Sequence, residues 1–208
     1  MNILIVHAHE NPDSFCSALC SQAEKAALNK GHSVIVSDLY LQEFIPTGGK
    51  HDFTKLSDAS YYKYATEQLH ASNNDGFSPE LKAEMNKLIE ADLLIFNFPL
   101  WWYDMPAILK GWVDRVMAYG IAYGGKYGWG QNGRFKGRKA LATVTTGTPT
   151  TEYQKPIAQI LDNLNSGIFR LVGYEVIDPF VASAVSRITK EERVKILDDY
   201  ENFLLQQL

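Results

Sequence analysis

Five apolar runs punctuate the chain, at residues 3–8, 34–37, 93–98, 140–145 and 176–181, and helical periodicity fills the gaps between them. No other feature restricts the fold as much. The first, third and fourth runs are nearly continuous and rich in branched residues, the pattern of parallel strands covered on both faces. Phe15, Ala18, Leu19, Ala23, Ala26 and Ala27 form one helical stripe, and Gly31 ends that helix after Lys30. Ser78 as cap, with Pro79 in the first turn, opens a second helix whose Leu81, Met85, Leu88 and Ile89 share a face. Ile108, Leu109, Trp112, Val113, Val116 and Met117 line a third; Ile157, Ile160, Leu161, Leu164 and Ile168 line a fourth. Thr189, with Glu192 three residues on, makes a capping box for a last helix running to the C-terminus.

Strands alternating with helices predict an α/β three-layer sandwich with right-handed crossovers. The expected sheet is five-stranded and parallel, in the flavodoxin-like order 2-1-3-4-5, with its switch point between the first and third strands. No repeat, low-complexity tract or linker divides residues 1–208, which read as one domain. The polar connection at 41–78 breaks the short-loop rule and reads as an insertion with a job, such as a subunit contact. Its Tyr61, Tyr62 and Tyr64 fit that role and simple packing under a loop equally well. A hydrophobic fraction of 46% supports a sizeable core. The net charge of -4, with no basic run, offers nothing to neutralise nucleic-acid phosphates or an anionic membrane. The apolar runs are strand-sized, no charged segment precedes Ile3, and Cys16 and Cys20 are the only cysteines. The chain therefore reads as cytoplasmic, without membrane span, signal peptide or disulfide framework.

In such a fold a ligand sits outside the carboxyl ends of the strands, and three of those ends are unusual. The first, residues 7–17, places Ser14 and Ser17 where a helix begins, a setting that suits a phosphate or pyrophosphate. Asp13 or Ser14 as a plain N-cap explains the same residues. No Walker A loop or G-x-G-x-x-G fingerprint is present, which disfavours a nucleoside triphosphate. The second, residues 98–112, leaves a buried strand through Trp101, Trp102 and Tyr103 and turns into an apolar helix. Three large aromatics at a strand exit point to a flat conjugated ligand, a flavin. The third, residues 143–153, offers Thr145, Thr146, Gly147 and Thr148, able to approach a heterocycle closely and hydrogen-bond its edge. His7 and His9 read as two apart on one strand, without further metal ligands, so no metal site is expected. Cys16 and Cys20, at i and i+4, read as small buried hydrophobes rather than a redox pair.

His9, Ser14-Phe15, Phe98-Pro99-Leu100, the run 105–112, Ala122-Tyr123 and Thr145-Thr146-Gly147 together resemble the NAD(P)H:quinone oxidoreductase (DT-diaphorase) family, in register from Ile3 to about Pro179. The resemblance implies a homodimer and a tightly held FAD reduced by NADH or NADPH, with quinones or similar electrophiles taking the electrons. It puts His9, Ser14, Phe15 and Cys16 near the flavin diphosphate and ribityl chain. Pro99, Leu100, Trp101, Trp102 and Tyr103 would border the ring system, with main-chain N–H groups reaching its edge. Thr145, Thr146, Gly147 and Thr148 would hold the pyrimidine side. Ala122, Tyr123 and Gly124 match the substrate-facing loop, and residues 123–133 would roof the pocket. The family pairs a tyrosine with a histidine to settle charge on the reduced cofactor; Tyr153 keeps the first position and Gln159 takes the second. The chain ends at Leu208 without the C-terminal extension of mammalian members, which leaves FMN open beside FAD.

The reaction implied is a ping-pong hydride transfer in which the protein supplies stacking, orientation and electrostatics. Two other roles fit the residues: a non-enzymatic flavin-binding regulatory subunit contacting a membrane transporter, and a flavodoxin-type electron carrier. The second would want a strongly acidic docking face, and -4 is mild.

Overall fold

The computed structural model describes residues 1–208. Strands β1 (Asn2–His7), β2 (Ser33–Asp38), β3 (Leu93–Pro99) and β4 (Lys139–Thr145) form a parallel sheet in the order β2-β1-β3-β4. Beside β4 lie two short parallel strands, β5 (Glu175–Val176) and β6 (Phe180–Ala182). The order 2-1-3-4-5 is thus the expected one, but the run 176–181 is not a single strand, and the sheet has six strands. Lys139 pairs with Glu175 and Thr143 with Phe180, a step of four residues on β4 against five outside. The extra residue bulges, and Pro179 has no N–H with which to continue the ladder.

Period-2 alternation sends Ile3, Ile5, Leu93, Ile95 and Leu141 to one face of the sheet, under α1 (Phe15–Asn29) and α7 (Lys190–Leu205). Leu4, Val6, Leu94, Phe96, Phe98, Ala142 and Val144 go to the other face, under α3 (Pro79–Glu90) and α4 (Ala107–Val116). The caps are those expected: the Ser14 hydroxyl accepts from the Ser17 N–H, Ser78 from Leu81, and Thr189 and Glu192 form a reciprocal capping box. No helix is long and apolar enough to cross a membrane.

Two elements differ from expectation. The fourth helix is broken into α5 (Ile157–Ile160), α6 (Asp162–Leu164) and a π-helical stretch, Asn165–Arg170. Asn163, Asn165, Ser166 and Gly167 are all weak helix formers, and apolar spacing alone does not hold one helix across them. The connection 41–78 holds a 3₁₀ turn at Lys50–Asp52 and a helix, α2 (Tyr64–Asn74). Within it Tyr61 is exposed, Tyr62 packs on the core, and Tyr64 lies edge-on to Phe53 and donates to Asp52. A fully buried ion pair ties this connection to α4: Arg115 Nε and Nη2 both donate to Asp52 Oδ1, at 3.0 and 2.8 Å.

Candidate functional site

The first strand exit is organised by Asn11. Its side-chain oxygen accepts from the Asp13 N–H, its own N–H donates to His9 Nδ1, and its carbonyl accepts from the Ser17 hydroxyl. This turn feeds α1, whose Phe15 and Cys16 N–H groups donate to nothing in the chain. An open pair of N–H groups at a helix start is an anion-binding arrangement. The Cys16 side chain faces inward, its Sγ 3.4 Å from the same end of the Asn97 side-chain amide that faces His7, and burial pushes its thiol up to about 12, as it does that of Cys20. Cys16 can therefore offer a ligand only its main chain. β1 ends at His7, so His7 and His9 do not share a strand face: His7 is buried, while His9 lies edge-on to Trp101 with ring centroids 6.4 Å apart. No three His, Cys, Asp or Glu side chains cluster as metal ligands.

The second exit is a tight two-residue hairpin. Trp101 and Asp104 exchange both main-chain hydrogen bonds at 3.0 Å, and between them Trp102 and Tyr103 have φ of +51° and +63°. Such a turn normally carries Asn-Gly; bulky residues there cost conformational energy. Strain of this kind survives where function maintains it. Trp102 is 99% exposed, with Trp101 and Tyr103 near half. Pro99 has no N–H, the Leu100 N–H goes to the Thr145 carbonyl and that of Trp101 is spent in the turn, so only Trp102 and Tyr103 offer free N–H groups here.

At the third exit the hydroxyls turn inward. Thr145 and Thr146 are buried, and Thr146 Oγ1 donates to the Thr148 carbonyl at 2.8 Å while accepting from the Ala184 N–H. What faces outward is the main chain: the Gly147 and Thr148 N–H groups are free, and nothing lies within 4 Å of where a Cβ on Gly147 would stand. The third exit meets the second through Tyr153, whose ring lies 5.3 Å from that of Tyr103. Each of the three exits thus presents two adjacent unpaired N–H groups toward one rim of the sheet.

A family model described as flavodoxin-like fold matches residues 1–204. NAD(P)H dehydrogenase [quinone] 1 of Rattus norvegicus is 35% identical over 97% of this chain and 75% of its own. Ribosyldihydronicotinamide dehydrogenase [quinone] of Homo sapiens is 36% identical over 92% and 85%. The chain belongs to the flavodoxin-like family that includes these quinone dehydrogenases. A crystal structure of a candidate quinone reductase from Klebsiella pneumoniae superposes with a TM-score of 0.93 at 31% identity, covering 98% of this chain and 83% of that one.

Against that family's pattern the remaining residues divide into two groups. Tyr153 is half-buried, and Gln159 is exposed and lines, with Tyr103, Gln154, Lys155 and Ile160, a cleft of about 470 Å³ beside the strained turn. Ala122, Tyr123 and Gly124 are elsewhere. They follow the far end of α4, whose ten residues, about 15 Å of helix, separate them from the aromatic turn. There Tyr123 stacks on Trp129, and Gly124, at φ +66°, leaves room for the Tyr119 ring. Residues 123–133 pack along the amino-terminal edge of the sheet, the Gly130 N–H on the Leu171 carbonyl, so within one chain they do not roof the strand exits.

Sequence reasoning missed the loop after β6. The Ser183 hydroxyl accepts from the Thr150 N–H, the Ser186 hydroxyl donates to the Gly147 carbonyl, and Arg187 pairs with Glu152 at 3.1 Å, so this loop shapes the third exit from behind. Its only signal is a run of small residues, Ala182-Ser183-Ala184, after the last strand. It also missed Asn97, fully buried in β3 with its amide NH₂ unpartnered.

Proposed function

We propose that this protein reduces quinones or related electrophiles with NADH or NADPH through a bound flavin, FAD or FMN, at the three strand exits. The strained Trp102-Tyr103 turn carries this reading. Two aromatics at positive φ, backed by the open Gly147 loop and facing the α1 N-terminus, form a rim with room for a flat ring and donors for its phosphate. The six free N–H groups fit a flavin: those of Phe15 and Cys16 with Ser14 and His9 would hold phosphate, and those of Trp102, Tyr103, Gly147 and Thr148 would hold the ring edge. When bound, the flavin supplies the hydride chemistry.

The chain's own contribution is to stack, orient and exclude water. Trp101, Trp102 and Tyr103 provide the stacking surface, and Leu100 and Pro99 close the ring's edge. Tyr153, with its ring beside that of Tyr103, would donate its phenol hydrogen to charge developing on the flavin, on the logic of a prepositioned oxyanion donor. Gln159 can donate a hydrogen bond there but not a proton near neutral pH. Tyr153→Phe should slow NADH-dependent bleaching of the bound flavin by about 10- to 100-fold, less than for a fully buried donor because this phenol is half-exposed. Stopped-flow absorbance reads this directly, and an unchanged rate would remove Tyr153 from the reaction.

Ala122, Tyr123 and Gly124 serve substrate in this reading only if a second copy brings them to the partner's cleft. That makes a homodimer part of the proposal, with the 41–78 connection and its exposed Tyr61 as one contact. The deciding assay is sustained turnover of menadione with NADH or NADPH by the flavin-loaded protein; an electron carrier or a regulatory subunit would show none.

A further inference from the structure

One polar row crosses the sheet just below the candidate site. On the face that carries Ile3, Ile5, Leu93, Ile95 and Leu141 lower down, His7 at the end of β1, Asn97 two residues before the end of β3 and Thr143 two before the end of β4 are paired in register. All three are buried. Thr143 is satisfied by the Tyr200 hydroxyl at 2.7 Å. His7 places Nδ1 2.7 Å from Asn97 Oδ1 and Nε2 3.0 Å from Ser17 Oγ, beneath the turn that opens α1.

The supply of hydrogens and the orphaned Asn97 NH₂ point to one direction for this chain. The single hydrogen of the Ser17 hydroxyl goes to the Asn11 carbonyl, which can only accept. His7 Nε2 must then donate to Ser17 Oγ. Burial lowers the His7 pKa, against the opposing pull of its Asn97 hydrogen bond and the Asp38 carboxylate, so the ring is neutral near pH 7 and Nδ1 must accept. We therefore turn the Asn97 amide end for end, so that its nitrogen faces Nδ1 in place of Oδ1 and its oxygen takes the position where the NH₂ had no partner. With the amide oxygen there instead, the NH₂ is buried without a partner, and His7 is either an imidazolium or, if the Ser17 hydroxyl turns from the Asn11 carbonyl to Nε2, the Nδ1–H tautomer. The amide orientation is thus decided by its network.

The Ser14 hydroxyl lies 2.9 Å from Ser17 Oγ and already accepts from the Ser17 N–H. Without the His7 donor, the Ser14 hydrogen is the only one available to Ser17 Oγ and turns inward. With it, that oxygen is supplied, and the Ser14 hydrogen is free to face outward.

We propose that His7, oriented by Asn97 as the Nε2–H tautomer, is a positioning residue that keeps the Ser14 hydroxyl available to an anionic phosphate at the α1 N-terminus. This rests on the flavin reading above, in which that phosphate belongs to FAD or FMN. Glutamine can present its amide nitrogen near the position of Nε2, whereas leucine fits the apolar surroundings but donates nothing.

The test is a double-mutant cycle read by quenching of flavin fluorescence. His7→Leu should weaken FAD or FMN binding by about tenfold, the loss of one hydrogen bond to a charged group. His7→Gln should remain within about threefold of wild type. Ser14→Ala should weaken binding as His7→Leu does, and adding His7→Leu to it should cost little more. Additive losses, or His7→Gln binding as poorly as His7→Leu, overturn the proposal. The same cycle titrated with pyrophosphate, read by amide chemical shifts, keeps the inference testable if neither flavin binds, an outcome that would sink the flavin reading alone. Should a His7 variant fail to fold, ¹⁵N imidazole shifts of the wild-type protein still decide: Nε2–H with an unprotonated Nδ1 supports the assignment, and an imidazolium or an Nδ1–H tautomer at pH 7 overturns it.

Discussion

Arg115→Met should destabilise the protein by about 3–5 kcal/mol, because it strips the partner from a buried carboxylate. Asp52 and Arg115 both have no exposed side-chain surface. The guanidinium spends Nε and Nη2 on Asp52 Oδ1, reaches Glu80 and the Ile45 carbonyl through Nη1, and lies over the Phe44 ring at 4.8 Å. With methionine in its place, Asp52 keeps only the Tyr64 hydroxyl, the Gly49 N–H and the adjacent His51 ring. Burial and that same carboxylate already push the Tyr64 phenol well above its usual range, so it cannot give up its proton to relieve the charge. The double variant Asp52→Asn, Arg115→Met should recover part of the loss, since no uncompensated charge remains. Urea denaturation would show the single variant as a fall in midpoint at an unchanged slope. A cost below about 1 kcal/mol would mean the pair is dispensable. The same helix face is docked a second time at Gly111, where a Cβ would stand 2.1 Å from the Pro46 carbonyl oxygen.

These anchors show where the fold was legible and where it was not. β1, β3 and β4 declare themselves because both faces are buried, which leaves uninterrupted apolar runs. α2 was hidden because its inward face is polar: Glu67 and Gln68 are among its buried residues, Glu67 held by the Ser57 N–H and hydroxyl, so no apolar stripe repeats. Asp52 and Arg115 are 63 residues apart and only the folded chain pairs them. At the site, three consecutive large rings after a buried strand stood out in the sequence, and in the fold they lie exposed at that strand's exit. Their positive φ was not legible, because nothing in Trp102-Tyr103 announces a turn that Asn-Gly would. His7 looked like half of a strand pair with His9, whereas β1 stops between them and the two rings serve different neighbours.

Exchanging Trp102-Tyr103 for Asn-Gly should make the protein more stable and much poorer at its proposed work. Each residue held at positive φ costs of order 1–3 kcal/mol, and the replacement pair adopts that turn without strain. Trp102 is almost wholly exposed, so removing it forfeits no buried surface; Tyr103 gives up its contact with Tyr153, worth about 0.5–1.5 kcal/mol. Two such residues release about 2–6 kcal/mol, so the balance favours the variant by roughly 0.5–5 kcal/mol, which for a chain of this size raises Tm by at least about 1 °C. Flavin affinity should fall at least about tenfold and menadione kcat/KM about a hundredfold, because two of the three stacking rings are gone while the free N–H groups remain. Calorimetry and flavin titration on the same preparation separate the two effects. A variant that melts lower would show that the turn is not strained, and one that melts higher but binds flavin as well as wild type would show that the strain serves something other than the ring.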